Sequence, residues 1–186
     1  STLSEIPEID GPKFIYSHII SPHPPFIFDK NGAAIEPSYE YSFLDGVDYP
    51  ESEEEYKTGY IEQLKYVNQQ LQKVIASILE ESETPPIIII MGDHGSRLYS
   101  DFSDPDNACI SESFSNFLAL YLPGMEADEI PFDITSINVF RLIFDHYFQT
   151  DFGLLDNKYY FFSNEGIPFN FKDVGQSLNI ECDVTP

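Results

Sequence analysis

Tryptophan is absent from this chain of 186 residues, and cysteine and methionine each occur only twice. Cys109 and Cys182 form no metal-binding or redox spacing. They could pair in an oxidising compartment or stay free, and the sequence leaves both open. Basic residues are scarce: Lys plus Arg is 9 against 32 Asp plus Glu, a formal charge of -23. Such a chain repels phosphate backbones and anionic lipid surfaces, which excludes nucleic acid as a natural partner. It also opposes an anionic substrate unless a local cation, such as a metal, offsets the field. The plainer use of that charge is solubility. No apolar run approaches the roughly 20 residues that span a bilayer, and no signal peptide is visible. The chain starts at Ser1 without Met, as a processed product or an excised piece would.

What is present is the material of a core. Apolar residues make up 42%, and aromatics, 16 Phe and 12 Tyr among them, reach 15%. That composition is globular, and the length suits one domain of ordinary size. The rings favour a well-filled core and an aromatic-lined cleft.

The hydrophobic pattern orders the elements. Residues 13–20 read as a strand, followed by the proline-rich turn "SPHPPF". Residues 29–56 are loop-like and end in the acidic cluster "ESEEEY"; they could form a lid over a site or an irregular connection. From Lys57 to Ser82, Ile61, Leu64, Val67, Leu71, Val74, Ile75 and Ile78 recur at helical steps, with Glu62, Gln63, Gln69, Gln70 and Lys73 on the other face. Pro85 and Pro86 end that helix. Ile87 to Met91 reads as a short strand buried on both faces. Residues 96–113 read as a second loop and 116–123 as a third strand. A second helix follows Thr135 or Ser136 as N-cap, with Ile137, Phe140, Ile143, Phe144 and Tyr147 on its apolar face. The remainder reads as short strands or loops, with a weakly structured tail after Gly175. No internal repeat is visible.

This order predicts an α/β fold: a mostly parallel sheet flanked by helices. The first strand, helix and second strand form a βαβ crossover, so strands 13–20 and 87–91 are expected to be parallel. Their carboxyl ends then share one edge, the usual ligand edge of open α/β sheets. His18, His23, Asp93 and His94 gather there.

The stretch "PPIIIIMGDHGSR" ends a buried run in an acid and an imidazole between glycines. Asp93 and His94 can converge on one divalent ion, since a carboxylate oxygen and an imidazole nitrogen suit Zn or Mn. Gly92 and Gly95 permit unusual backbone angles or the close approach of a ligand. The plain alternative is a βα turn in which Asp93 caps the next segment. His23 sits among prolines that stiffen its backbone and could ligate a metal, donate to an oxyanion or act as an acid; the alternative is an exposed turn histidine. His18 could be a satisfied strand residue. His146 reads as surface or packing. Arg97 could neutralise a substrate anion or form a surface ion pair.

Taken together, "FIYSHIISPHPPFIF", "PPIIIIMGDHG" and the helix "YIEQLKYVNQQLQKVIASIL" between them resemble the C-terminal half of the alkaline phosphatase and sulfatase superfamily. The closest likeness is to sulfatase-like domains of membrane-bound proteins, of the lipoteichoic acid synthase and phosphoethanolamine transferase type. The resemblance covers about residues 13–160. It implies that Asp93 and His94 bind the catalytic divalent metal (Mn, Zn, Mg or Ca). It implies that His23 contacts the phosphate or sulfate group or a second metal. His18 and Arg97, from their places near the two turns, are the expected substrate contacts.

The nucleophile and a further acidic ligand belong to the N-terminal half of such folds. Only 12 residues precede the first expected strand, so that half is expected to be missing. The expectation is then a partial sulfatase-like domain over 1–186, with a core at about 13–160 and a C-terminal extension at 161–186. Its metal would be weakly bound or absent, and the isolated chain would be inactive. The intact protein would be a hydrolase or phospho-group transferase for sulfate or phosphate esters. It would lie on the extracytoplasmic side of a membrane, tethered by segments absent here. The rival expectation is a non-catalytic structural or interaction module. A metallophosphatase of another fold would need a "GNH" motif, which does not occur. The sequence sets no oligomeric state.

Overall fold

The computed structural model describes residues 2–99, 108–162, 169–180 and 182. Their contacts form two units. The first holds residues 1–86 with Arg97–Tyr99, the second Ile87–Ser96 with residues 100–186.

The first unit is built on α1, Glu53–Glu81. The acidic cluster expected in the loop is instead its first turn. Ser52 and Glu55 form a capping box, and acids at a helix N-terminus complement the exposed N–H groups there. Ser82 closes the helix ahead of the prolines. The 3-10 segment Thr2–Glu8 packs on α1. The buried positions of α1 are Tyr56 and Gln63, whereas Ile61 is 47% exposed. The helix face expected from its isoleucines and leucines is therefore rotated in its first half, because rings from the preceding loop cover Tyr56. Phe26, Tyr49 and Tyr56 pack with centroids 5.0–5.7 Å apart, and Tyr39 and Tyr60 extend the cluster. Gly59 admits this packing: a Cβ there would stand 2.3 Å from the Phe26 ring.

Residues 13–20, expected as the first strand, form no strand. Phe14 and Tyr16 are 85% and 79% exposed. An extended apolar segment gains little by itself; it needs a neighbouring strand to pair its backbone.

The second unit carries β1, Ile88–Met91, and β2, Leu118–Tyr121. They pair antiparallel, Ile88 opposite Tyr121 and Met91 opposite Leu118. Both sheets among the described residues are two-stranded and antiparallel, so the expected parallel crossover is not formed. β1 is half-buried rather than buried on both faces. The loop expected between β1 and β2 contains a short α2, Ile110–Ser113; residues 100–107 of it lie outside the described residues.

Helix α3, Ser136–Phe148, follows Thr135 as expected. Its buried face is Asn138, Val139 and Ile143, while Ile137 is 61% exposed. Val139 and Ile143 pack with Leu122 under Ile89, Leu118 and Leu120. Asn138 is buried because it clamps a neighbouring backbone: its Nδ2 donates to the Leu155 carbonyl and its Oδ1 accepts the Leu155 N–H, both at 2.9 Å. β3, Tyr160–Phe162, pairs antiparallel with β4, Phe171–Asp173. After Gly175, expected to be weakly structured, a 3-10 turn runs to Ser177, and Cys182 is joined to Cys109 by a disulfide. The sequence had left that pairing open.

Candidate functional site

The Asp-His turn leaves β1 at Gly92. The Gly92 N–H donates to the Phe117 carbonyl at 2.8 Å, and Asn116 Nδ2 donates to the Gly92 carbonyl at 3.0 Å. At the far end the Gly95 N–H donates to the Ser113 carbonyl at 2.8 Å. The turn is thus stitched to β2 on one side and to the end of α2 on the other. Neither glycine has a positive φ, so unusual backbone angles are not their role. Gly95 is needed for close approach of the chain to itself: a Cβ there would lie 1.9 Å from the Glu112 carbonyl oxygen.

Held this way, Asp93 and His94 turn toward the same side. His94 Nδ1 lies 2.7 Å from the Gly95 carbonyl, which accepts its hydrogen. That leaves Nε2 as the free ring nitrogen, 3.7 Å from Asp93 Oδ2. A hydrogen bond at one ring nitrogen is the usual means of fixing which nitrogen can ligate. The Asp93 side chain is 82% exposed and that of His94 26%.

His23 repeats the device in the first unit. Its Nδ1 donates to the carbonyl of the next residue, Pro24, at 2.7 Å, and its Nε2 lies 3.7 Å from a carboxylate oxygen, Asp45 Oδ2. Asp45 is held in turn. Its Oδ1 accepts the Tyr56 hydroxyl at 2.6 Å and the Gly46 N–H at 2.9 Å. The His23 ring also meets Phe43 edge-on at 5.9 Å.

The backbone of the His23 turn is fixed by Gln63, which is 1% exposed. Its Oε1 accepts the Ile27 N–H at 2.8 Å, and its Nε2 donates to the His23 carbonyl at 3.3 Å. One buried amide therefore spans the turn from the histidine to the residue after Phe26. The helical periodicity had put Gln63 on the polar face of α1. Its helical steps of seven, three and four to Tyr56, Tyr60 and Val67 were the available signal. Asp45 carried no such signal, since it lies in the loop 22 positions from its partner.

The expected residues fall in both units. His18, His23 and Arg97 belong to the first, Asp93 and His94 to the second. His18 lies in the exposed, strandless segment 13–20. Arg97 is half-buried in the short segment ending at Tyr99. His146 packs edge-on against Tyr147 at 4.7 Å on α3. The sheet edge that was expected to gather the histidines depended on a strand at 13–20, which does not form.

A carboxylate and an imidazole with a free Nε2 have the donor chemistry of a divalent metal site. Among the described residues, no group of three His, Cys, Asp or Glu is arranged to hold an ion. The family model described as Sulfatase matches residues 2–147. No curated protein and no solved structure matches the chain.

Proposed function

This chain belongs to the sulfatase family, and on that premise we propose that it supplies metal- and anion-contacting residues of a hydrolase or phospho-group transferase acting on sulfate or phosphate esters. The observation that supports this most is the Asp93-His94 turn. Its imidazole is anchored through Nδ1, its Nε2 is free, and a carboxylate oxygen stands beside it.

Asp93 and His94 are the residues that would hold the metal: Mn or Zn by the mixed oxygen and nitrogen donors, Mg or Ca less readily because these prefer oxygen alone. A bound ion of this kind offsets negative charge on the ester and on an attacking oxygen. Two protein donors fall short of the usual three or four, so the chain by itself would bind metal weakly or not at all and would not turn over substrate. His23 would orient the sulfate or phosphate group through Nε2, or give a proton to the leaving oxygen. His18 and Arg97 are the further substrate contacts of this reading.

The Cys109–Cys182 disulfide suits an oxidising compartment, which supports an extracytoplasmic location. Among the described residues no helix is long and apolar enough to cross a membrane, so a helical tether would lie outside them. The rival reading, a non-catalytic module that keeps the fold, is favoured by the same count of two donors.

The test is a titration of the 186-residue chain with manganous chloride, followed by paramagnetic broadening of assigned amide and ring signals. Broadening centred on Asp93 and His94, and lost in His94→Ala, is the expected result. Broadening that ignores both His94→Ala and Asp93→Ala would remove this turn as a metal ligand.

A further inference from the structure

The His23 ring has a partner that neither the motif nor the family match assigns. Asp45 lies in the loop ahead of α1, with a side chain only 9% exposed. A carboxylate that far from water needs its oxygens satisfied. Tyr56, itself 2% exposed, and the Gly46 N–H both serve Oδ1. Oδ2 is directed at the Nε2 edge of His23.

The chemistry of the ring then decides what this contact does. The Nδ1 hydrogen is committed to the Pro24 carbonyl. In the neutral ring, Nε2 would turn a lone pair toward the lone pairs of Oδ2. With a hydrogen on Nε2 the same contact becomes attractive, a cation beside an anion. The ring that can donate to an ester oxygen or protonate a leaving group is this second form.

We propose that Asp45 is the positioning residue of His23: pinned by Tyr56 and Gly46, it fixes the orientation of the imidazole that would meet the sulfate or phosphate group. The proposal rests on the reading of His23 as an anion contact. At 3.7 Å Nε2 is beyond hydrogen-bond distance of Asp45, so this edge of the ring remains available to an incoming oxygen.

The experiment uses the 186-residue chain with ¹⁵N-labelled histidine. Asp45→Asn keeps an oxygen for Tyr56 and Gly46 but removes the charge facing Nε2. The expected result is a departure of the His23 ring nitrogen signals from the native pattern, with backbone signals of α1 unchanged. Asp45→Glu is expected to restore part of that pattern. Tyr56→Phe releases Oδ1 and is the second arm should Asp45→Asn disturb the fold; it is expected to broaden or shift the His23 ring signals. An unchanged His23 ring in both Asp45→Asn and Tyr56→Phe would overturn the proposal. Sodium sulfate added to the native chain separates this from the underlying reading. If the His23 ring responds to Asp45→Asn but not to sulfate, the pairing stands and the anion contact fails.

Discussion

Replacing Gln63 by Met removes an amide and keeps nearly the same shape, so it isolates what the two hydrogen bonds contribute. Gln63 is 1% exposed. The Ile27 N–H donates to Oε1 at 2.8 Å, and the His23 carbonyl accepts from Nε2 at 3.3 Å. A buried donor left without a partner costs about 1–3 kcal/mol. A carbonyl losing a long bond costs less, so the pair is worth about 2–4 kcal/mol. With a slope of about 2 kcal/mol per molar urea, the unfolding midpoint should fall by about 1–2 M. The loss should be local first: exchange of the Ile27 amide should accelerate before that of amides inside α1. Gln63→Glu is the companion. It keeps the acceptor for Ile27 but turns an anion toward the His23 carbonyl, and burial raises the folded pKa of that carboxyl. A raised folded value means stability present at low pH and lost as pH rises through it. The deficit of Gln63→Glu relative to the native chain should therefore shrink on acidification, as the protonated carboxyl regains a donor. A Met variant within about 0.5 kcal/mol of the native chain, the usual range for inconsequential surface changes, would refute the clamp. So would a Glu deficit that does not move with pH.

Gly95→Ala should destabilise the second unit by at least about 1–3 kcal/mol, because its Cβ would collide with the Glu112 carbonyl, a backbone atom. Gly92→Ala, with its nearest neighbours at 3.3–3.4 Å, should cost less; equal thermal midpoints for the two would contradict this. Asp145 accepts from Thr150 Oγ1 and from the Phe152 and Gly153 amides, and these bonds hold its carboxyl below the ordinary value of 3.8. A depressed folded value means the loop after α3 keeps its hold above that pH and loses it as pH falls through the folded value. The Phe152 and Gly153 amide signals should move only in that acid range, and Asp145→Asn should abolish the movement. The 186-residue chain should leave a chromogenic sulfate or phosphate ester unhydrolysed with Mn, Zn, Mg or Ca; robust turnover that disappears in Asp93→Ala would sink the view that two donors are too few.

The sequence carried the elements better than their arrangement. Helix α1 was legible from its spacing, and β1, β2 and α3 from apolar runs bounded by proline and a cap. The α/β class follows from the same pattern and from the family to which the chain belongs. Strand direction was not legible, because a run such as Ile88–Met91 has the same composition beside either kind of neighbour. The start of α1 was available in Ser52-x-x-Glu55 but was masked by the charge of the cluster. Gln63 and Asn138 look polar along the chain and are buried because each satisfies a backbone segment from another part of it. The Asp93-His94 turn could be read because its residues are adjacent. The Asp45 contact could not, because it exists only once the loop has folded back.

The bond between Cys109 and Cys182, 73 positions apart, has a topological consequence. It closes a covalent ring that contains β2, α3, β3 and β4. A protease that cuts the backbone once inside this ring opens it without releasing a fragment. On a denaturing gel without reductant the nicked chain still runs as one molecule, and only reduction divides it. The Asp93-His94 turn is attached to that ring from outside, so a single cut within it would leave the turn joined to every strand and helix that supports it.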